Sequence, residues 1–217
     1  MSATTAPEPP GGRRARAARN EQRILEAARA VFVDDPGAPI AAVARRAGVG
    51  MSALYSRYRS KDELLQRLAL DGLRRYLDAV QAALDDDGDP WTVFAGFMRR
   101  ALDAGTSSLT LRFAGTFTAT EELRREGRRA YEATLRLLER AKAAGVLRPD
   151  IDVGDLSLLF EQLQAVRAGD RRRTAQLRHR YLALVLDGLH QASAASLPAR
   201  PPTWPEISRR YEEHPAD

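Results

Sequence analysis

Cysteine is absent from all 217 residues. Disulfides and thiolate metal sites are therefore excluded. Histidine is scarce: His179, His190 and His214 all lie near the C-terminus, and the first two are not at the i, i+4 spacing of a helical metal pair. No apolar run approaches the roughly 20 residues of a membrane span. Residues 1–12 hold proline and glycine without an apolar stretch. They read as a disordered tail, not a signal peptide. No period-2 alternation and no hairpin turn pair occurs, so the chain is expected to be all α. Nucleophile-elbow, phosphate-loop and dinucleotide fingerprints are missing too. The many carboxylates read as surface or capping groups. The expectation is a cytoplasmic protein that is not an enzyme and carries no metal or cofactor.

Lysine is the other scarcity: only Lys61 and Lys142 stand among 34 basic residues. The charge that is present is unevenly placed. Residues 13–61 hold 11 Arg/Lys against 4 Asp/Glu, whereas residues 62–217 are nearly balanced at 23 against 24. The net charge of +5 thus sits in one segment. Phosphate binding calls for that localisation.

The basic segment carries the most informative stretch, Ile40 to Leu64. Ile40, Val43, Ala44 and Ala47 fall at helical spacing and form one apolar face. Gly48 supplies the positive φ that ends this helix tightly. Leu54 and Tyr58 are an i, i+4 pair facing the same core. Met51, Ser52, Ala53, Tyr55 and Arg57 are left on the outer side of the second helix. Two helices joined by a glycine turn, the second offering small, polar and basic groups, read as a helix-turn-helix. Its second helix suits a DNA major groove.

The stretch resembles the DNA-binding motif of the tetracycline-repressor (TetR) family of bacterial regulators. The matching residues are Ala47-Gly48-Val49, Leu54-Tyr55, Tyr58 and Ser60-Lys61-Asp62-Glu63-Leu64. Tyr58 stands where the family usually has Phe, and Gly50 where Ser or Thr often opens the recognition helix. The resemblance implies an N-terminal DNA domain followed by a helical ligand-binding and dimerisation bundle, about nine helices in all. It carries phosphate contacts to Tyr55 and Lys61, and a DNA contact to Arg57. Ser52 and Ala53 suit base edges or a thymine methyl, with Met51 beside them. Arg45 faces out from the preceding helix, and Arg14 belongs to an N-terminal arginine arm suited to the DNA backbone or a minor groove.

Punctuation divides the remainder. The DNA domain is expected over residues 13–62, the ligand-binding and dimerisation domain over 63–196, and a proline-rich tail over 197–217. Within these, apolar stripes predict a first helix over 14–34. Ser60 and Glu63 form an S-x-x-E capping box that opens a long helix over 61–85. Asp89 and Pro90 start a helix over 90–104. Residues 105–118 read as less regular. Helices follow over 119–144, over 153–168 behind Asp152 and Asp155, and over 171–195 behind Asp170. The tail is read as irregular or mobile.

The aromatic-rich half resembles the family's ligand domain. Phe94, Phe97, Met98, Phe113, Phe117, Tyr131, Phe160 and Gln164 are the candidate pocket residues, against an ordinary-core reading for each. The last two helices carry Leu156, Leu163, Leu177, Tyr181, Leu184 and Leu189 at heptad-like spacing. One DNA domain reads few bases, so a two-fold dimer joined through these residues is the economical arrangement. The sequence therefore points to a ligand-responsive regulator, most simply a repressor, with three partners: an operator duplex, a second copy and an unidentified small molecule. An activator, a protein-responsive regulator and a small-molecule-binding protein with a vestigial helix-turn-helix stay open as alternatives.

Overall fold

A computed structural model describes residues 10–35, 37–105, 117–190 and 195–208, with side chains from Arg19 onward except residues 33 and 34. Arg14 as a side chain and Phe113 therefore lie outside the described residues. Nine helices are described: α1 (Pro10–Asp34), α2 (Ile40–Ala47), α3 (Met51–Tyr55), α4 (Lys61–Leu84), α5 (Pro90–Ala104), α6 (Glu121–Ala143), α7 (Val153–Ala165), α8 (Arg171–Leu189) and α9 (Trp204–Ser208). Among the described residues the only β-type pairing is one antiparallel bridge, Leu147 to His190. The chain divides into two compact units, Met1–Leu64 and Leu65–Asp217, so α4 gives its first turn to one and the rest to the other.

In the first unit α1 packs on α2. Ile24, Leu25, Ala28 and Phe32 of α1 meet a core that also holds Val43, Ala44, Ala47, Leu54, Tyr58 and Leu64, all buried. Gly48 has φ 65°, and its N–H returns to the α2 carbonyls of Ala44 and Arg45. A β-carbon is disfavoured in that left-handed conformation. Arg23 of α1 reinforces the corner, donating from Nη2 to the Ala47 carbonyl at 2.8 Å.

The second unit is a helical bundle around one apolar core. Phe94, Phe97 and Met98 of α5, Leu137 and Leu138 of α6, Leu156 and Phe160 of α7, and Leu182 and Leu186 of α8 all lie in it. The predicted caps are present. Asp89 accepts from the Thr92 N–H at 2.9 Å, and Asp170 from the Arg173 N–H at 2.7 Å. Asp152 and Asp155 form a capping box on α7.

Four local expectations shift. Glu63 accepts from the Arg59 N–H at 2.6 Å, one residue before the Ser60 cap, although Ser60 Oγ does accept from the Glu63 N–H. Helix α1 begins at Pro10. Helix α7 ends at Ala165, where the Arg178 guanidinium takes the Gln164 carbonyl at 2.8 Å and the Val166 carbonyl at 3.3 Å. The tail is ordered over residues 195–208 and includes α9, whose Ile207 is buried.

Candidate nucleic-acid interface

Helix α3 is only five residues long, opened by Gly50 in extended backbone without a side-chain cap. Leu54 alone is buried, and it anchors the helix to the first unit's core. The other side chains face outward. Met51 is 37% and Tyr55 48% exposed, and Ser52 and Ala53 are exposed as well. This one-sided burial presents four adjacent side chains on a short rod, the geometry a major groove accepts. Arg45 is exposed in the last turn of α2. Arg57 is half-buried and donates to Glu21 Oε2 of α1 at 3.4 Å. That long, solvent-screened contact leaves its guanidinium able to exchange partners.

Lys61 is held differently from a free phosphate ligand. Its Nζ donates to the Ala38 carbonyl at 3.0 Å and lies 5.2 Å from the centroid of the Phe32 ring. The ammonium thus ties the first residue of α4 to the connection between α1 and α2. Side-chain donors of an ammonium number three, so this role and a phosphate contact are compatible.

The family model described as "Bacterial regulatory proteins, tetR family" matches residues 24–68. The model described as "Transcriptional regulator SbtR-like, C-terminal domain" matches residues 89–191. Together they take in about two thirds of the chain. The chain belongs to the tetR family of bacterial regulatory proteins.

Solved structures agree. The TetR transcriptional regulator SCO0520 of Streptomyces coelicolor is similar at 28% identity and TM-score 0.55, over 80% of this chain and 99% of that one. A TetR regulatory protein of Mycobacterium vanbaalenii is similar at 28% identity and TM-score 0.54, over 82% and 98%. The TetR-like regulator LfrR of Mycobacterium smegmatis, solved with proflavine, shares the fold at 21% identity and TM-score 0.57, over 83% and 99%. A comparison with curated proteins finds no match.

In this tetR-family chain the candidate pocket residues are mostly packed on one another. Phe94, Phe97, Met98 and Phe160 are fully buried and Phe117 nearly so. Phe97 and Phe160 meet edge to face at 6.5 Å. Both also meet Tyr76 of α4 edge to face, at 5.6 and 6.5 Å. The Tyr76 hydroxyl pairs with Thr134 Oγ1 at 2.9 Å, and Thr134 donates onward to the Ala130 carbonyl. Burial pushes the Tyr76 phenol up to about 12 against the opposing pull of that hydrogen bond. Gln164 is buried and donates from Nε2 to the Leu102 carbonyl at 2.7 Å, which satisfies the end of α5. Tyr131 is partly buried against the same core and stacks at a tilt on Trp204, with centroids 4.9 Å apart.

The predicted interface residues separate into two sets. Leu156, Leu163 and Leu189 are buried in the chain's own core, so they have little side-chain surface for a partner. Tyr181 is 44% and Leu184 60% exposed, and Leu177 is half-buried. A shallow groove of about 340 Å³ lies beside them, lined by Leu159, Gln162, Leu163, Val166, Tyr181, Leu184 and Val185.

Sequence reasoning missed Tyr76, Arg148 and Trp204. Tyr76 sits three residues after Leu73 and four before Val80, a helical spacing that places it on one apolar stripe of α4. Trp204 follows Thr203, which forms a T-x-x-E capping signature with Glu206. Glu206 does accept from the Thr203 N–H at 2.7 Å. Arg148 had no pattern to reveal it. It is buried, forks onto Asp150 at 2.6 and 2.9 Å, and donates to the Gly188 and Ala195 carbonyls. That guanidinium, with the Leu197 N–H, holds the Asp150 carboxyl far below the usual carboxylate range.

Proposed function

We propose that this tetR-family regulator is a homodimeric, ligand-responsive repressor that binds a palindromic operator. The observation that carries the reading is α3. Its outward side chains Met51, Ser52, Ala53 and Tyr55 are exposed together while Leu54 locks the helix to its support. The basic surplus of residues 13–61 supports the same face as the phosphate-binding one. Arg14, Arg45, Arg57 and Lys61 are its proposed basic contacts.

A second copy is expected on the exposed stripe of α7 and α8. Tyr181, Leu184 and the adjoining groove give an apolar face that a monomer has no reason to leave in water. Two copies place two recognition helices on two half-sites. The SbtR-like C-terminal match and the aromatic content of the second unit support a small effector bound there. Such an effector acts if it prefers the conformation that does not fit the operator. A preference of about 1–3 kcal/mol changes operator affinity roughly 5–150-fold. The protein is read as cytoplasmic and non-enzymatic. No helix among the described residues is long and apolar enough to cross a membrane.

The test is recovery of bound genomic fragments, followed by titration of the enriched duplex against random DNA at several salt concentrations. Preference for an inverted repeat, with affinity falling steeply as salt rises, is the expected result. Equal affinity for both duplexes at physiological salt refutes the reading. A promoter-fused reporter with and without the gene separates repression from activation.

A further inference from the structure

Residues 195–208 lie beyond the last residue matched by the family model, residue 191, yet they are built into the second unit. Helix α9 packs on α7. Trp204 lays its indole on Tyr131 of α6, and its ring edge lies 4.0 Å from where a β-carbon at Gly127 would stand. Pro202 passes directly over α7 at Gly154, where any β-carbon would collide with the Pro202 carbonyl. Only a residue without a β-carbon lets the segment pass this close to the first turn of α7.

The segment is held lightly from outside. Arg200 and Glu206 make a two-pronged ion pair at 2.7 and 2.8 Å, but both belong to the segment, so the pair shapes the segment without tying it to α6 or α7. At the other end the Leu197 N–H donates to Asp150 at 2.8 Å. The inward hold therefore comes mainly from Trp204 and Ile207. A short terminal segment with few buried contacts opens at a free energy well below that of global unfolding.

We propose that residues 197–208 are a gate: the groove between α6 and α7 accepts a flat aromatic group, Trp204 fills it in the closed state, and a small aromatic molecule enters when the segment lifts. The proposal rests on the reading that the second unit binds an effector, and it names the chemical class and the access control. Tyr131 supplies the ring face for stacking, and Gly154 lets Pro202 bring the segment close over α7. The indole of Trp204 acts as an internal competitor, so the apparent affinity of an outside molecule is reduced to the fraction of chains with the gate open.

The test uses the full chain with Gly154→Ala, which expels Pro202. Anilinonaphthalene sulfonate is the probe. The expected result is unchanged helical circular dichroism, faster thermolysin nicking on the N-terminal side of the buried Ile207 and a several-fold gain in dye affinity. Trp204→Ala is the second variant. It leaves an indole-sized notch on Tyr131, so free indole is expected to raise its melting temperature and not that of the parent. Faster nicking without a gain in dye affinity overturns the gate, as does nicking at the parent's rate. Failure of indole to stabilise Trp204→Ala overturns the aromatic groove. If a metabolite still releases the operator from the parent in those cases, the gate is lost and the effector reading survives.

Discussion

Tyr55 and Lys61 look alike as motif residues but differ in what their removal does. Tyr55 stands 48% exposed on the outer face of α3. Tyr55→Ala is expected to weaken operator binding by about 1–3 kcal/mol, the scale of a hydrogen bond to a charged group, with the melting temperature unchanged. Lys61 additionally ties Ala38 and Phe32 to the start of α4. Lys61→Ala should lower stability by about 1 kcal/mol and reduce the salt slope of DNA binding by about one. Calorimetry alongside fluorescence anisotropy separates the two effects. A Lys61→Ala protein that melts and binds like its parent would falsify both roles.

Tyr76 gives a prediction in pH. Its phenol is neutral when folded up to about pH 12, whereas an unfolded tyrosine loses its proton near 10. Above pH 10 the unfolded state binds fewer protons than the folded state, so stability falls as pH rises. The loss reaches about 2–3 kcal/mol by pH 12. Tyr76→Phe is expected to flatten this part of the alkaline limb, read by urea unfolding at pH 8 to 11.5. The acid side has its own group. Asp150 is held low by Arg148 and the Leu197 N–H. Its contribution is present above the unfolded value near pH 4 and is lost as pH falls through the lower folded value.

At the scale of elements, the turn between α2 and α3 is the least forgiving. Gly48 at φ 65° is disfavoured for any residue with a β-carbon by roughly 1–2 kcal/mol, and a methyl there also meets Arg23 Nη2 at 3.2 Å. Gly48→Ala is expected to destabilise the first unit by about that amount and to reduce DNA affinity through misplacement of α3. Hydrogen exchange should show the loss confined to residues up to 64. Gly50 has extended backbone and open space around it. Gly50→Ser adds a cap worth a few tenths of a kcal/mol, so a large loss there would contradict the account of α3.

The exposed stripe of α8 makes the corresponding test of assembly. Leu184 is 60% exposed and Leu186 is buried in the same helix. Leu184→Glu is expected to leave the fold intact and to shift light scattering from dimer to monomer, with operator binding falling alongside. Leu186→Glu is expected to unfold the second unit, because it buries an unpaired charge. If the parent scatters as a monomer at micromolar concentration, the two-fold reading fails before any variant is made.

For the whole molecule, an effector that binds only the folded state raises the melting temperature by mass action. A metabolite screen by thermal shift is therefore expected to yield compounds that also weaken operator binding. A compound that stabilises the chain and leaves operator affinity unchanged would show binding without coupling.

Much of this molecule was written locally. Short-range rules place the caps at Asp89, Asp152 and Asp170, the glycine corner at 48 and the alternation of buried Leu54 with exposed Tyr55, because each involves residues within a turn or two of one another. The capping signature at Thr203 and Glu206 was equally local. What it could not show was that α9 has somewhere to pack, since that depends on Gly154 and Tyr131, far away in the chain. The same limit applies to the apolar stripes. Spacing marks Leu156, Leu163, Tyr181, Leu184 and Leu189 as apolar positions on helices, but not which neighbour each one meets. Burial is a property of the assembled bundle, and only there do Leu156, Leu163 and Leu189 turn inward while Tyr181 and Leu184 stay in water. Arg148 is the extreme case: its partners Asp150, Gly188 and Ala195 come together only when α8 returns beside the end of α6, so its role belongs wholly to the tertiary structure.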